Sequence, residues 1–290
     1  MKINITKFYL LFFTFFLTII LHAQDFQGQA HYLSKTTIDM SRFNRGGEQM
    51  TEQRKKELES RLKSIFEKNY ILTFNKEESI FVEDEKLSTQ VVNSDRRGGG
   101  FSSNFSAGPQ YKNIKENIFL QDQEFFGKQF LIKEDMKPIE WKMGSETKQI
   151  GQYTCFKATA TKVSTAIDFA PRRQGRDSES KEESKNKEPE TVEVVAWYTL
   201  QIPVSQGPAD YWGLPGLILE ISAGSTIILC SKIVLNPEEK IQIKAPKKGQ
   251  VVTQQEYKDI VTKKMEEFRA NRNRGDGRQG GGRPGGGGRR

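Results

Sequence analysis

The chain has 290 residues, of which 35% are hydrophobic and 28% are charged. The hydrophobic share is below that of average globular domains and the charged share is above it, and disordered insertions would explain both. The formal net charge is +8. Two lysines near the start contribute +2, and residues 269–290 hold seven Arg and one Asp, or +6, so the remainder is formally neutral (8 − 2 − 6 = 0). A folded basic face for nucleic acid is therefore not expected.

The first segment has the pattern of an export signal. Lys2 and Lys7 precede an almost wholly apolar run from Phe8 to Leu21, which is followed by a small residue, Ala23. This order is typical of a secretory signal peptide, and the run is shorter than the roughly 20 residues that a membrane-spanning helix needs. We expect residues 1–23 to be cleaved after Ala23 and the mature chain to be periplasmic or associated with the outer membrane.

The first half of the mature chain is predicted to be a strand, a helix and a meander. Apolar alternation and charged turns predict strands over residues 26–38, 70–74, 79–82 and 88–92. Residues 50–66 carry apolar side chains at steps of three and four, which predicts an amphipathic helix. The Arg- and Gly-rich residues 94–109 are predicted to form a mobile loop.

The second half continues the meander and ends in a second helix. Strands are predicted over residues 117–120, 129–132, 139–143, 151–161, 192–202, 214–222 and 226–235. Residues 171–190 carry six basic and six acidic side chains, which predicts a solvated, unstructured loop. Thr253 and Glu256 have capping-box spacing ahead of an apolar stripe that ends at Phe268. Residues 269–290 are predicted to be a disordered Arg/Gly tail.

These elements predict a single mainly β domain over residues 24–268. The expected architecture is an antiparallel β-meander, open or curved into a half barrel, with one amphipathic helix in the N-terminal half and one C-terminal helix. The strand-type sequence continues on both sides of the two loops, so neither loop is expected to be a domain linker.

Residues 213–218 spell a conspicuous motif: Gly213, Leu214, Pro215, Gly216, Leu217 and Ile218. The motif is the one that names the GLPGLI family of the Bacteroidetes, and the chain resembles that family from about residue 151 to residue 221. Ala196-Trp197-Tyr198 and Gly207-Pro208 also resemble the family's pattern. The resemblance implies an exported protein of the cell envelope and a shared fold, and it implies no particular reaction.

The motif has a structural and a functional interpretation. Pro215 fixes its own φ and favours extended geometry before it, while Gly213 and Gly216 permit turns or close backbone approach. This predicts a tight entry into a core strand. In the functional alternative, four side chains form a small pocket beside the turn for a cationic or polar ligand: Asp210, Tyr211, Trp212 and Glu220.

Metal and redox chemistry have few candidate residues. Cys155 and Cys230 lie in different predicted strands, and they form a disulfide only if those strands are neighbours, because the Cα atoms must come within about 7 Å; otherwise they are two small buried side chains. His31 is the only histidine after the signal, so a closed zinc site is not predicted. No motif for a phosphate-binding loop is found, and no cofactor is predicted.

The favoured interpretation is a non-catalytic binding or accessory module for an envelope lipid or protein partner. Three alternatives remain: a half-barrel carrier of lipids or lipoproteins, a carboxylate-based hydrolase of an envelope polymer, and a purely structural envelope component. The cationic tail is also predicted to contact anionic lipid or lipopolysaccharide.

Overall fold

The computed structural model of the chain describes residues 26–37, 51–84 except 54–55, 58–59 and 61–65, 108–163, and 191–276. Its elements are β1 (Gln27–Thr36), β2 (Glu67–Asn75), β3 (Glu78–Glu83), β4 (Gln110–Asn113), β5 (Ile118–Phe125), β6 (Lys128–Asp135), β7 (Lys142–Ile150), β8 (Tyr153–Val163), β9 (Thr191–Thr199), β10 (Leu217–Ala223), β11 (Thr226–Leu235), β12 (Gln250–Val252) and the helix α1 (Gln254–Asp276). Within the described residues, no helix has the length and apolar character needed to cross a bilayer.

All twelve strands form one sheet, in the order β12-β6-β5-β4-β3-β2-β1-β11-β10-β9-β8-β7. Neighbouring strands are antiparallel except β12 and β6, which are parallel. The N-terminal strand β1 lies inside the sheet, between β2 and β11, and β12 and β7 form the two edges. The predicted mainly β, open antiparallel fold is confirmed.

The sheet curves around the connection between β9 and β10, residues 200–216, which we call the motif loop. Lys112 on β4 donates to the Tyr211 carbonyl at 2.9 Å, and the Lys162 ammonium on β8 lies 4.7 Å from the centre of the Tyr211 ring. β4 and β8 are seven strand steps apart, which in a flat sheet would be about 33 Å. Lys112 and Lys162 can both reach Tyr211 only because the sheet is strongly curved. The motif loop lies on the concave face of the sheet.

The concave face is filled by the chain itself. Motif-loop side chains Ile202, Val204 and Leu214 belong to the main core cluster, together with Tyr32 of β1 and Phe74 of β2. At the β5–β6 end, α1 forms a second cluster, composed of Phe125, Phe130, Ile132, Val252, Tyr257, Val261 and Met265. Within the described residues, the concave face around the motif loop and α1 is therefore occupied by the chain's own side chains.

The start of α1 agrees with the sequence prediction, and its end does not. The Thr253 amide donates to Glu256 at 2.7 Å and the Glu256 amide donates to the Thr253 hydroxyl at 3.2 Å, so the predicted capping box is confirmed. The helix continues past Phe268 to Asp276. Residues 269–276 of the predicted disordered tail are therefore helical, and residues 277–290 lie outside the described residues.

Several strand boundaries differ from the prediction. β7 begins at Lys142 and runs to Ile150, whereas residues 139–143 were predicted. β4 and β12 were not predicted, because strands of four and three residues are too short to show an alternation. The strand predicted over residues 192–202 ends at Thr199, and Leu200 beyond it is 50% exposed.

Some predictions fall partly or wholly outside the described residues. These are the signal peptide at 1–23, the strand at 88–92, most of the loop at 94–109, and the loop at 171–190. Of the helix predicted at 50–66, residues 52, 53, 56, 57, 60 and 66 are helical, and the residues that carry most of its apolar stripe are not described.

Candidate functional site

The motif loop enters β10 through close backbone contacts. Gly213 adopts a φ of +93°, which a residue with a Cβ rarely adopts. A Cβ on Gly216 would lie 2.0 Å from the Thr199 carbonyl oxygen. The Leu217 amide then donates to Ile202 O at 2.9 Å, and the Ile218 amide donates to Gln206 O at 3.1 Å. The two glycines let the loop fold back tightly against the end of β9.

A buried lysine holds the motif loop from the opposite side of the curved sheet. Lys112 of β4 has no exposed surface, and its ammonium donates to Gly207 O at 2.5 Å and to Tyr211 O at 2.9 Å. Burial lowers the pKa of Lys112 from 10.5 to about 7, with a smaller opposing effect of Asp210. Nearby, the Ser79 hydroxyl donates to the buried Gln206 side chain at 2.8 Å. These contacts connect β3 and β4 to the loop.

Three of the four predicted pocket residues lie together in this loop. Asp210 forms an ion pair with Lys162 of β8, whose ammonium also lies over the Tyr211 ring. Burial, with a smaller effect of Asp210, raises the pKa of Tyr211. The Trp212 carbonyl accepts a bond from the Trp141 indole at 2.8 Å. Asp210 and the two aromatic residues are therefore engaged by the protein's own strands.

Glu220, the fourth predicted residue, lies on the opposite face of the sheet. It is the register partner of Trp197, which in turn is the partner of Lys157 on β8. Lys162 is five residues beyond Lys157 on that strand and so faces the other way. Glu220 instead pairs with Lys148 of β7 at 2.6 Å. The structure does not bring Glu220 into a pocket with Asp210.

The two cysteines are free and buried. Cys155 is on β8 and Cys230 on β11, and two strands, β9 and β10, separate them. A disulfide was expected only between neighbouring strands, and these two strands are not neighbours. Burial raises the pKa of Cys155 to about 11 and that of Cys230 to about 12, so both remain protonated thiols at neutral pH.

We expect neither thiol of the folded protein to react with iodoacetamide at pH 8, because burial hinders access and keeps the reactive thiolate scarce. In denaturant without a reductant, both should be alkylated. Intact-mass measurement of the two samples checks this. Denatured, unreduced protein that takes up no label would show that Cys155 and Cys230 are oxidised to each other.

A groove lies on the convex side of the sheet, below the segment that leads to β12. Residues 243–248, which we call the strap, form one wall, and Glu78 of β3, Tyr111 of β4 and Asp122 of β5 form the other. The groove has a volume of about 690 Å³, which is in the usual range for small-molecule sites. Tyr111 and Lys112 are adjacent in β4, so one strand supports the strap groove on one face and the motif loop on the other.

The position of the strap is fixed by its C-terminal end. Gly249 has a φ of +107°, and a Cβ there would lie 2.8 Å from the Phe130 carbonyl carbon. Directly after it, β12 pairs in parallel with β6, and Val252 is 5% exposed within the α1 cluster. The strap therefore runs into an anchored strand.

The groove brings together charges of both signs. Glu78 accepts the Tyr111 hydroxyl and, at 3.5 Å, the Asn113 amide, both on Oε1. Burial and the bond to Glu78 raise the pKa of Tyr111 to about 12, so the phenol keeps its proton. Asp122 and the three strap lysines, Lys244, Lys247 and Lys248, form no ion pair with any described residue.

Neither Lys112 nor the strap groove was predicted from the sequence. Lys112 stands in a four-residue polar strand, and its burial depends on a loop about 95 positions later in the chain. The groove joins β3–β5 to residues 243–248, again a non-local contact. The sequence Lys-Ala-Pro-Lys-Lys at residues 244–248 could have indicated the lysine-lined strap. A proline between lysines can hold several positive charges in an extended segment.

In the described ranges, no three His, Cys, Asp or Glu side chains are grouped so that they could hold a metal ion. Asp210 and Glu220 form ion pairs, and Glu78 accepts its bonds from a phenol and an amide.

Residues 141–220 match a family described as a protein of unknown function (Porph_ging). The matched segment contains β7, β8, β9, the motif loop and the start of β10. Two solved structures of PNGF-II, in the C2 and P21 space groups, resemble the chain with TM-scores of 0.44 and 0.43 and sequence identities of 15% and 14%. The similarity covers 82% of this chain and 33% of each PNGF-II chain, so this chain spans about a third of their length. No curated protein matches the chain.

Proposed function

We propose that this chain is an exported envelope protein of the GLPGLI type and that it acts as a non-catalytic binding module with the strap groove as its ligand site. The leader-like residues 1–23 support export, and residues 213–218 support the family assignment. The observation that carries the binding function is the groove itself, because it has the size of a ligand site and is lined by charges that no described residue neutralises.

The motif loop has a supporting function in this proposal. Its polar groups are bonded to β3, β4 and β8, and its apolar groups fill the concave face. The loop therefore holds the curvature of the sheet, and through Lys112 it holds β4, the strand that carries Tyr111. Asp210, Tyr211 and Trp212 belong to this support.

The test is native mass spectrometry of the mature protein, purified gently from the envelope of its own host. We expect a bound mass beyond that of the polypeptide, which is lost in Asp122→Asn and in the double variant Lys247→Ala/Lys248→Ala. Lys232→Ala is the matched control, because Lys232 is an exposed lysine on β11 outside the groove. An unliganded wild type, or an adduct that all variants retain, would refute the groove as the ligand site.

The groove also bears on a second candidate, a carboxylate-based hydrolase, because Glu78 and Asp122 both line it. Their strands β3 and β5 are two steps apart, and Asp122 lies four residues beyond Ile118, the β5 residue in register with Glu78, so the two Cα atoms are on the order of 16 Å apart. Inverting glycosidases place their two carboxyl groups at about 6.5–9.5 Å, so this spacing favours binding over hydrolysis. Incubation with envelope polysaccharide separates the two functions: a hydrolase releases fragments and loses that activity in Asp122→Asn, whereas a binding module releases none.

A further inference from the structure

We infer that the strap groove takes a small molecule that carries one ammonium group and one phosphate, with the ammonium against the sheet and the phosphate under the strap. The inference rests on the proposed function and specifies its ligand. It follows from how the charges are divided between the two walls of the groove.

The sheet wall has the groups that bind an organic cation. Glu78 and Asp122 are partly buried and supply two carboxylates, and Tyr111, which is 6% exposed, lies between them on β4. Both bonds of the Glu78 carboxylate use Oε1, so within the described part of the chain Oε2 accepts none. The register puts Glu78 and Asp122 on opposite sides of Tyr111, with Cα atoms on the order of 16 Å apart. An ammonium group at this wall therefore contacts one carboxylate and the aromatic ring, and the other carboxylate adds attraction at longer range.

The strap wall has the groups that bind a compact anion. Lys244, Lys247 and Lys248 are exposed and line the groove. Lysine is a common phosphate ligand because it acts as a point charge with three donors. Three lysines so close together favour phosphate over an ion of lower charge density.

The sum of charges selects between ligand classes. Three lysines and two carboxylates give the groove a formal charge of 3 − 2 = +1. A simple cation would be repelled by the strap, and a simple anion would be repelled by the sheet wall. A molecule with an ammonium group and a phosphate satisfies both walls, and as a phosphate monoester its net charge is about −1 at neutral pH.

The depth of the two walls fixes the orientation. The carboxylates and Tyr111 are at the inner wall, and the lysines are at the solvent-exposed rim. An ammonium group that enters first leaves its phosphate at the rim, with the rest of the molecule outside the groove. Both a free phosphoethanolamine and the head group of a phosphatidylethanolamine lipid fit this geometry.

The test is isothermal titration calorimetry of the mature protein with O-phosphoethanolamine, inorganic phosphate and ethanolamine. We expect O-phosphoethanolamine to bind at least about tenfold more tightly than either single-charge probe. Asp122→Asn should weaken O-phosphoethanolamine about tenfold and leave the weaker phosphate binding unchanged, whereas Lys247→Ala/Lys248→Ala should weaken both. Lys232→Ala should change neither. Circular dichroism and melting curves establish that the variants are folded.

A second arm distinguishes the two sources of the ligand. Co-sedimentation with phosphatidylcholine vesicles that contain phosphatidylethanolamine, compared with pure phosphatidylcholine vesicles, reports head-group binding. Competition by free O-phosphoethanolamine assigns that binding to the groove. Sedimentation with neither vesicle, together with calorimetric binding, identifies the free molecule as the ligand.

The outcomes separate this inference from the proposed function. If native mass spectrometry shows an adduct that depends on Asp122 while O-phosphoethanolamine and the vesicles do not bind, the groove is a ligand site and the assigned ligand class is wrong. If O-phosphoethanolamine binds no more tightly than phosphate, or if its affinity is the same in all groove variants, the inference is overturned. If there is also no adduct, the proposed function fails with it.

Discussion

Replacing Lys112 by methionine should lower the free energy of unfolding at pH 7 by about 2 to 4 kcal/mol. Methionine keeps the unbranched stem packed, but it leaves Gly207 O and Tyr211 O without their buried donor, and each orphaned group costs about 1 to 3 kcal/mol. Part of this loss is offset, because the variant no longer has the free-energy cost of burying the lysine amine. Urea unfolding of the two proteins measures the difference. Lys232→Met, at an exposed lysine of β11, should stay within about 0.5 kcal/mol of the wild type.

The difference in stability between the wild type and Lys112→Met should depend on pH, and the sign of this dependence follows from the pKa of Lys112. The folded-state pKa of Lys112 is about 7 and its ordinary value is 10.5, so between these values the unfolded chain binds the extra proton. The stability that Lys112 contributes therefore rises with pH, by up to about 1.4 kcal/mol per unit. We expect the gap between wild type and Lys112→Met to widen from pH 7 to pH 9. A constant gap would mean that Lys112 stays charged in the folded protein.

Gly216→Ala should destabilise the protein by at least about 3 kcal/mol. The new Cβ would lie 2.0 Å from the Thr199 carbonyl oxygen and 2.6 Å from its carbon, and these are backbone atoms that cannot rotate away. Leu214 and Leu217 on either side have no exposed surface, so the loop has no space into which to retreat. The change in melting temperature and in urea midpoint measures the effect.

Gly127→Ala is the control that separates a steric clash from backbone strain. Gly127 has a φ of +72°, and a Cβ there would meet no atom within 4 Å, so only the conformational cost of about 1 to 2 kcal/mol applies. If both variants lose the same stability, the close approach at Gly216 is not what requires glycine in the motif.

The fold class could be predicted because the relevant signals are local. The β10–β11 hairpin follows from alternation on both sides of Gly224, which has a φ of +57°, and the start of α1 follows from Thr253 and Glu256. The bounds of β7 were predicted wrongly because every residue from Lys142 to Gln149 is exposed. An edge strand exposed on both faces has no alternation to detect.

The candidate site could be predicted only in part, because proximity in the sheet depends on strand order. Asp210 and Tyr211 were identified as neighbours since they are adjacent in sequence, whereas Glu220 was added without knowledge of which face of β10 it occupies. The register of β9 and β10, with its bulge between Ile218 and Glu220, decides that face. Register depends on pairings that a single sequence does not contain.

The place of β1 in the middle of the sheet has a consequence for folding during synthesis. Its neighbour β11 is so distant in the chain that the Ser231 hydroxyl reaches His31 O across a separation of 200 residues. At about 5 to 20 residues per second, a ribosome needs about 10 to 40 seconds to supply that partner. Until then, one edge of β1 has unpaired backbone groups that can pair with another chain. The nascent protein therefore passes through an interval in which it depends on dilution or a chaperone to avoid aggregation.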